Sequence, residues 1–288
     1  MSLAPLVNDW FRKNQRDLPW RRDGFGAWGI LVSEIMLQQT PVARVIPRLL
    51  EWLERWPTAS ALAASPSGDA VRQWQRLGYP RRALNLHAAA VAITARHGGV
   101  VPRDLASLLA LPGVGEYTAR AVAVFAYGER HPVVDTNVRR VIARAVAGQA
   151  DPAPASTRVD LAAMNSLLPE DDAEARLFNA AAMELGAIVC TARAPRCAVC
   201  PIATQCRWRA AGYPAYLGAK RPAQSKFDGS DRQVRGLILA ELRGSDIPVT
   251  AAEIVSVWAD EDQRNRALDS LLLDGLAVLS ADGYELAP

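Results

Sequence analysis

The sequence predicts a mainly α-helical protein with a cysteine-rich loop and a small C-terminal module. Apolar residues recur at three- and four-residue spacing through most of the chain, and Pro and Gly separate these runs. No sustained two-residue alternation, which would indicate strands, appears before residue 276. All four cysteines fall within residues 190–206, which indicates one metal site in a helical body.

The amphipathic runs predict the helices of the body in chain order. Half of the residues are hydrophobic, which is enough for a substantial core in one large domain with a smaller one. No run of 18 uncharged apolar residues occurs, so we expect no membrane span. The predicted helices cover residues 28–37, 43–56, 69–77, 83–97, 104–110, 117–127, 138–147 and 173–187.

The last 58 residues predict an acidic, winged-helix-like module. Three helical runs at about 231–243, 250–258 and 261–274 precede a short hairpin, 276–279 with 283–286. A linker rich in Pro, Gly and Ala, residues 213–230, separates this module from the body. We expect the module to pack on the body or to bind a partner protein, and a purely stabilising role is an open alternative.

The charge is divided unevenly between body and module. The body up to residue 230 holds 28 basic and 19 acidic residues, whereas the module holds 5 basic and 11 acidic residues. This asymmetry favours a polyanion as the partner of the body, although ordinary surface charge explains a moderate excess equally well.

The cysteine pattern C-x6-C-x2-C-x5-C favours an iron–sulfur cluster. Zinc usually takes four thiolates from two close cysteine pairs, and here only Cys197 and Cys200 form such a pair. A cubane cluster is larger and is held by four thiolates from a loop such as the one that begins at Cys190 and ends at Cys206. Zinc is the second interpretation. Two disulfides are the third, because no secretory signal is expected in this sequence.

The segment 111–115, Leu-Pro-Gly-Val-Gly, joins two predicted helices. Gly113 and Gly115 allow several backbone N–H groups to point outward at the start of the second helix, where they would form an anion nest. Backbone contacts to phosphates are independent of base sequence, which suits general DNA binding. A plain connector between helices is the alternative.

Two carboxylate residues, Glu34 and Asp135, lie in different kinds of predicted surroundings. Glu34 lies inside an apolar helix, where burial would raise its pKa and make it a candidate general acid. Asp135 or Thr136 is a natural N-cap of the helix from residue 138, and the helix dipole would keep Asp135 ionised. A neutral acid with an ionised carboxylate is the pairing that cleaves glycosidic bonds. A solvated helix residue and a plain cap are the alternatives.

Together these motifs resemble the endonuclease III superfamily of helix–hairpin–helix DNA glycosylases, because the glycine hairpin, Val-Asp-x-Asn and the cysteine spacing occur in the family's order. The chain also contains Leu-Pro-Trp-Arg (18–21), Ser-Glu-Ile-Met-Leu-Gln-Gln-Thr (33–40), Leu-Gly-Tyr (77–79), Asn-Leu-His (85–87) and Glu-Leu-Gly-Ala (184–187). On these residues, the chain from residue 1 to about 212 resembles the MutY group of adenine DNA glycosylases within that superfamily.

The resemblance implies a two-lobed fold and a bound [4Fe–4S] cluster. Residues 1–26 and 132–212 would form the cluster-bearing helical lobe, and residues 27–131 the helical barrel lobe with the helix–hairpin–helix. The cluster would shape a loop that carries Arg193 and Arg196 toward DNA phosphates. Its expected ligands are Cys190, Cys197, Cys200 and Cys206.

The resemblance also implies a monofunctional enzyme that hydrolyses the N-glycosidic bond of adenine paired with 8-oxoguanine or guanine in base excision repair. Glu34 would protonate adenine N7, and Asp135 would stabilise the oxocarbenium ion. Asn137 would hydrogen-bond Asp135. Tyr117 stands where relatives with lyase activity carry lysine, so no Schiff-base chemistry is expected; in some MutY-like enzymes a tyrosine here supports the catalytic carboxylate.

Further residues match DNA-contacting positions of that group. The positions near the flipped adenine are Arg16, Trp20, Arg21 and Glu184. Those that wedge the duplex or touch the opposite base are Gln39, Thr40, Leu77 and Tyr79, and the backbone at Gly113 and Gly115 would hold phosphates.

Several features depart from the group's pattern or leave its specificity open. Pro80 replaces a second aromatic residue, and the segment from Pro19 to Glu34 is one residue longer than in some relatives. The last 58 residues are too few for the NUDIX-like domain that inspects 8-oxoguanine. A thymine or uracil mismatch glycosylase and a non-catalytic iron–sulfur DNA-binding protein are the alternative functions. We expect a monomer that acts on double-stranded DNA in the cytoplasm, at the nucleoid, and not at a membrane.

Overall fold

The computed structural model describes residues 2–218 and 226–288, and this part of the chain is mainly helical, as the sequence predicts. None of its helices is long and apolar enough to cross a membrane. A π-helical turn, Ala143–Ala147, follows α9. The α-helices are α1 Ala4–Asn14, α2 Gly26–Leu37, α3 Val42–Arg55, α4 Ala59–Ala63, α5 Ser67–Trp74, α6 Arg81–His97, α7 Leu105–Leu109, α8 Glu116–Tyr127, α9 Thr136–Ile142, α10 Thr157–Asn165, α11 Asp172–Ile188, α12 Arg207–Ala210, α13 Asp231–Gly244, α14 Ala251–Val257 and α15 Glu261–Leu273.

The chain divides into two compact units. The first consists of Met1–Ile30, Arg103–Leu109 and Val114–Arg221, as far as these residues are described. The second consists of Leu31–Pro102, Ala110–Gly113 and Pro222–Pro288, with the same restriction. The lobe boundaries expected at residues 26–27 and 131–132 stay predictions.

The core of the first unit lies between α1, α9 and α11. Helix α1 buries Ala4, Val7 and Phe11, which share one face because they are spaced three and four residues apart. They belong to one apolar cluster with Val138 of α9 and Phe178 of α11. This packing fixes the start of α9, which carries Asp135, relative to α11, which leads into the cysteine loop.

Three tryptophans form the core of the helical part of the second unit. Trp52, Trp56 and Trp74 are almost wholly buried. The rings of Trp52 and Trp56 are 4.7 Å apart, and those of Trp52 and Trp74 are 5.7 Å apart, both edge to face. Edge-to-face packing suits the ring quadrupoles and adds to the apolar burial. It joins α3 to α5.

The C-terminal module has the predicted three helices, α13 to α15, and a hairpin of β1 Val278–Leu279 and β2 Tyr284–Glu285. The strands are antiparallel, with Leu279 opposite Tyr284. Val249 adds one bridge to Tyr284. The winged-helix-like class of the module stays a prediction. Of the predicted linker, residues 219–225 lie outside the described part of the chain.

The module packs on α5 and on the start of α6 within the second unit. Ser67 Oγ donates to the carbonyl oxygen of Pro288 at 3.0 Å, and Arg72 Nη1 donates to that of Ser245 at 3.1 Å. Arg81 forms an ion pair of 3.3 Å with Asp274. A Cβ at Gly68 would lie 2.5 Å from the Ala287 carbonyl oxygen, so only glycine allows this approach. These contacts agree with the expectation that the module packs on the body.

Candidate active site and cysteine loop

Asp135 is the N-cap of α9, as the sequence predicts. Its Oδ1 accepts a hydrogen bond of 2.7 Å from the Val138 backbone N–H. Its Oδ2 accepts a second, also of 2.7 Å, from Asn137 Nδ2. Burial nevertheless raises the pKa of Asp135 above its ordinary value, because the loss of hydration outweighs these bonds. The expectation that Asp135 is ionised stays a prediction, and burial opposes the helix N-terminus that favours the charge.

Arg140 orients Asn137 and connects it to the cysteine loop. Arg140 Nη2 donates to Asn137 Oδ1 at 2.8 Å and to the Gly186 carbonyl at 2.7 Å. Its Nε donates to the Cys190 carbonyl at 2.7 Å. With its oxygen bound to Arg140, the Asn137 amide must turn its nitrogen toward Asp135.

Gly186 lets α9 and α11 approach to backbone contact. A Cβ at this position would lie 2.7 Å from Asn137 Cβ and 2.8 Å from the Asn137 carbonyl oxygen. Any larger residue would push the two helices apart.

Glu184 is fully buried and binds Arg16 and Arg21. Its Oε1 accepts from Arg16 Nε at 2.8 Å and from the Arg16 backbone N–H at 3.0 Å. Its Oε2 accepts from Arg16 Nη2 at 2.8 Å and from Arg21 Nη2 at 2.9 Å. Burial opposes ionisation, but these hydrogen bonds outweigh it and take the pKa of Glu184 to about 2.

The structure thus brings together three of the four residues that the sequence placed near the base. Four donors occupy the Glu184 carboxylate, which has about four acceptor sites. Glu184 therefore holds the 15–21 segment on α11. Trp20 lies in that segment, in the short 3₁₀ turn Pro19–Arg21.

Glu34 is buried in α2, with 7% of its surface exposed. Its neighbours Leu31 and Ile35 are also buried, so the alternative of a solvated helix residue is wrong. Glu34 belongs to the second unit and Asp135 to the first. Tyr117 lies in the first turn of α8 and packs on a small apolar cluster that includes Val133, two residues before Asp135.

The predicted wedge residues lie on two short segments that contact each other in the second unit. Thr40 Oγ1 donates to the Leu77 carbonyl at 3.3 Å. Gln39 and Tyr79 have left-handed backbone conformations, with φ of 56° and 48°, which nothing in the sequence signals. Leu77 is buried and Tyr79 is half exposed. Sequence reasoning missed Arg82, which binds both segments.

Gly113 and Gly115, the two glycines of the hairpin, are glycines for different structural reasons. Gly113 has a φ of 73°, and a Cβ there would lie 2.6 Å from Asn85 Cβ, so both the conformation and the space require glycine. Gly115 is the N-cap of α8 in an extended conformation, with open space around it. Its open surroundings agree with a backbone contact to an anion at the start of α8.

The four cysteines are free thiols that line one cavity. Among the residues that the structure describes, no group of three or more His, Cys, Asp or Glu side chains is arranged to hold a metal ion. Burial raises the pKa of Cys190 and takes that of Cys200 to about 11. Thiolates there need a compensating positive charge, which the iron ions of a cluster supply. The donor set and its shared cavity therefore fit a cluster.

Sequence reasoning missed Arg144, and the expected phosphate contact of Arg196 stays a prediction. Arg144, from the π-helical turn, donates to the Thr191 carbonyl at 2.7 Å, and its Nη1 lies 3.5 Å from Cys190 Sγ. Its guanidinium lies over the Trp208 ring at 4.6 Å. Arg196, expected at phosphates, donates to the Ile188 carbonyl at 2.6 Å and so holds the loop. Arg193 is exposed.

Comparison with known proteins identifies the family. Residues 32–165 match the model of the HhH-GPD superfamily of base excision DNA repair proteins. The adenine DNA glycosylase of Mycolicibacterium smegmatis is 58% identical over 285 residues, 98% of this chain and 95% of that protein. This chain belongs to the adenine DNA glycosylase family. The Mycobacterium tuberculosis relative is 54% identical over 97% of this chain and 91% of its own length.

The family's human relative, also an adenine DNA glycosylase, is 41% identical but covers 69% of this chain and 38% of its own length. Among solved structures, a thermostable thymine-DNA glycosylase has a TM-score of 0.65 at 26% identity, over 72% of this chain and 95% of that chain. An endonuclease III–DNA intermediate has a TM-score of 0.63 at 23% identity, over 73% and 95%. These likenesses confirm the predicted helix–hairpin–helix glycosylase fold.

Proposed function

We propose that this chain is a monofunctional DNA glycosylase that hydrolyses the N-glycosidic bond of adenine opposite 8-oxoguanine or guanine. The observation that carries the proposal is its similarity, over nearly the whole chain, to proteins named adenine DNA glycosylases. The buried carboxyl of Glu34 and the capped carboxylate of Asp135 provide the two groups that the reaction needs.

The two carboxyl groups act at different ends of the bond. Adenine must first rotate out of the duplex, which costs a few kcal/mol of lost stacking and pairing. Glu34 donates a proton to adenine N7, so that the base leaves neutral. Asp135, ionised, stabilises the positive charge that develops on the sugar, and water completes the hydrolysis.

Asn137 and Arg140 position Asp135 for this step. The Asn137 hydrogen bond stabilises the ionised form of Asp135 against the effect of burial. Tyr117 offers no amine, so no Schiff base forms and the enzyme stops at the abasic site. Gln39, Thr40, Leu77 and Tyr79 fill or border the gap in the duplex. Trp20 borders the extrahelical base, in a turn that Arg16, Arg21 and Glu184 hold.

The proposed partner is double-stranded DNA with a mispaired adenine, bound by a monomer in the cytoplasm. The basic excess of residues 1–230 and the open N-terminus of α8, with Gly115 as its N-cap, support contact with phosphates. The acidic module is not needed for this DNA contact. It packs on α5, and a protein partner of the module would be an additional interaction.

A [4Fe–4S] cluster held by the four cysteines completes the proposal. The four thiols line one cavity, which fits the donor set of a cubane cluster. When bound, the cluster supplies a charged, rigid centre for the loop of residues 190–206. Base removal involves no change of oxidation state, so the cluster has no part in that step.

A strand-cleavage assay tests the function. Labelled duplexes with A opposite 8-oxoguanine, A opposite guanine, T opposite guanine and U opposite guanine are treated with enzyme and then with alkali. We expect alkali-dependent cleavage at the adenine-containing strands. The structural likeness to a thymine-DNA glycosylase makes thymine release the competing result, and release of thymine or uracil without adenine would replace the proposal.

A matched variant locates the acid. Glu34→Gln should abolish base release while duplex affinity stays near that of the unmodified chain, because the shape is kept and the proton is lost. Wild-type turnover in that variant would remove Glu34 from its role. Cleavage without alkali that borohydride traps would contradict the monofunctional mechanism.

A further inference from the structure

Arg82 places a buried guanidinium among backbone carbonyl groups. Only 8% of the residue is exposed. Its Nη1 donates to the carbonyl oxygens of Ile35 at 2.9 Å, Met36 at 3.0 Å and Gln38 at 2.5 Å. The first two carbonyls lie in the last turn of α2, and that of Gln38 comes directly after it. Carbonyls at this end of a helix have no partner within the helix, so Arg82 satisfies them and complements the helix dipole.

The other arm of the same guanidinium binds the second segment. Arg82 Nη2 donates to Thr40 Oγ1 at 2.9 Å and to the Gly78 carbonyl at 3.0 Å. One planar fork thus connects residues 38–40 with residues 77–79. Lysine has a single point of attachment and does not reproduce this geometry.

Aromatic rings enclose the guanidinium. It lies 5.2 Å from the ring centre of Trp74, which is buried, and 5.5 Å from that of Tyr79, which is half exposed. Burial lowers the pKa of Arg82 to about 10, so the side chain stays charged at neutral pH. The interaction between this charge and the carbonyl dipoles is stronger than in water, because the site excludes water.

Both segments hold a residue in a conformation that only firm surroundings maintain. Gln39 and Tyr79 both have a positive φ. Gln39 follows Gln38 and Tyr79 follows Gly78, and the backbone carbonyls of Gln38 and Gly78 both accept hydrogen bonds from Arg82. Left-handed conformations of non-glycine residues persist where neighbouring contacts over-determine them, and they concentrate at functional segments.

We propose that Arg82 is a positioning residue that holds residues 38–40 and 77–79 as one rigid edge, so that Gln39 and Tyr79 enter the duplex together. The inference rests on the proposed function, because it assigns the edge to the step in which adenine leaves the stack. Arg82 itself contacts neither base nor sugar in this role, and its effect passes through the two segments.

The test uses the full chain with Arg82→Lys, and Arg81→Lys as the matched control. Arg81 is the adjacent arginine, its side chain is 66% exposed, and it pairs with Asp274 of the module. Hydrogen–deuterium exchange is compared for each protein, together with single-turnover release of adenine. 2-Aminopurine at the target position reports rotation of the base out of the duplex.

We expect Arg82→Lys to speed exchange in residues 38–40 and 77–79 while the rest of the chain is unchanged. Adenine release should fall about tenfold to hundredfold, as for other losses of positioning. The 2-aminopurine signal should fall with it, and Arg81→Lys should match the unmodified chain. A duplex in which the target adenine faces a one-nucleotide gap needs less unstacking, so the loss should be smaller there.

Wild-type exchange and release in Arg82→Lys would overturn the proposal. So would faster exchange throughout the second unit, or an equal loss of release on the paired and the gapped duplex, since either indicates a general role in stability. Thr40→Val, which removes one acceptor of the fork, should give a smaller effect in the same segments and serves if Arg82→Lys does not fold. If the unmodified chain releases no adenine, the proposed function fails, and the exchange comparison still decides whether Arg82 holds the two segments.

Discussion

The Asn137 side chain donates a 2.7 Å hydrogen bond to the Asp135 carboxylate. This bond works against burial, which raises the pKa of Asp135. Burial therefore disfavours the ionised form of Asp135, and the hydrogen bonds from Asn137 and from the Val138 backbone N–H partly offset that effect.

Asp135→Asn should abolish base release, and its effect on stability should depend on pH. Burial raises the folded-state pKa of Asp135 above its ordinary value, so the stability that Asp135 contributes falls as pH rises from the ordinary pKa of aspartate through the raised one. Asparagine keeps the helix cap but turns an amide N–H toward Asn137 Nδ2, so that hydrogen bond is lost at every pH. In thermal unfolding, the midpoint of the variant relative to that of the unmodified chain should therefore be lowest in acid and rise with pH. A difference that stays constant or falls as pH rises would contradict the raised pKa.

Gly186→Ala should reduce base release by displacing Asn137. The new Cβ meets the backbone of Asn137, which has no room to move, and overpacking of this kind costs about 1–3 kcal/mol. Gly236→Ala is the control, because that helical glycine has open space around it and alanine there gains about 1 kcal/mol of helix propensity. Thermal unfolding and single-turnover release measure both. Equal behaviour of the two variants would show that the close approach is not limiting.

Glu184→Gln should destabilise the first unit by about 2–3 kcal/mol at neutral pH, because a pKa of about 2 reflects strong favourable pairing of the ionised form. This contribution is present above the ordinary pKa of glutamate and is lost as pH falls toward 2. The stability difference between the variant and the unmodified chain should therefore narrow in acid.

The control for this prediction is Asp17→Asn. Asp17 pairs with Arg22 in the same segment, but both side chains are mostly exposed. Exposed pairs contribute little to stability because solvent screens them, so denaturant unfolding should change little. A large loss of unfolding free energy in Asp17→Asn, or no loss in Glu184→Gln, would show that Glu184 is not the residue that holds residues 15–21 in place.

Gly68→Ala should loosen the C-terminal module. A Cβ at Gly68 would meet the Ala287 carbonyl oxygen at 2.5 Å and Leu286 Cβ at 2.9 Å. Limited proteolysis should cleave residues 231–288 faster than in the unmodified chain. Gly244→Ala, where the space is open, is the control. Resistance equal to that of the control would mean that residues 286–288 adapt to the new Cβ without leaving α5.

The sequence predicted those parts of the fold that depend on local pattern. Helix periodicity located α6 and α11 within two residues at each end, and cap chemistry located Asp135. The cysteines were recognisable as one site by spacing alone. Each of these signals lies within a few residues along the chain, where geometry follows directly from sequence.

The rest depends on partners that are distant in sequence. Arg82 and Arg140 bind mostly backbone carbonyls, which every residue has, so no residue type marks their targets. Nothing in the sequence distinguishes Arg82 from Arg81, yet one is buried and the other exposed. The burial that raises the pKa of Asp135 also escaped prediction, because a cap position does not show how deeply the capped end is packed.

Asn137 depends on Gly186, but Gly186 does not depend on Asn137. The asparagine donates the hydrogen bond to Asp135, and the glycine leaves the space in which Asn137 lies. A Cβ at position 186 would meet the Cβ, the carbonyl carbon and the carbonyl oxygen of residue 137, so a smaller side chain at 137 does not open that space. Among divergent relatives, position 186 should therefore stay glycine whether or not position 137 stays asparagine.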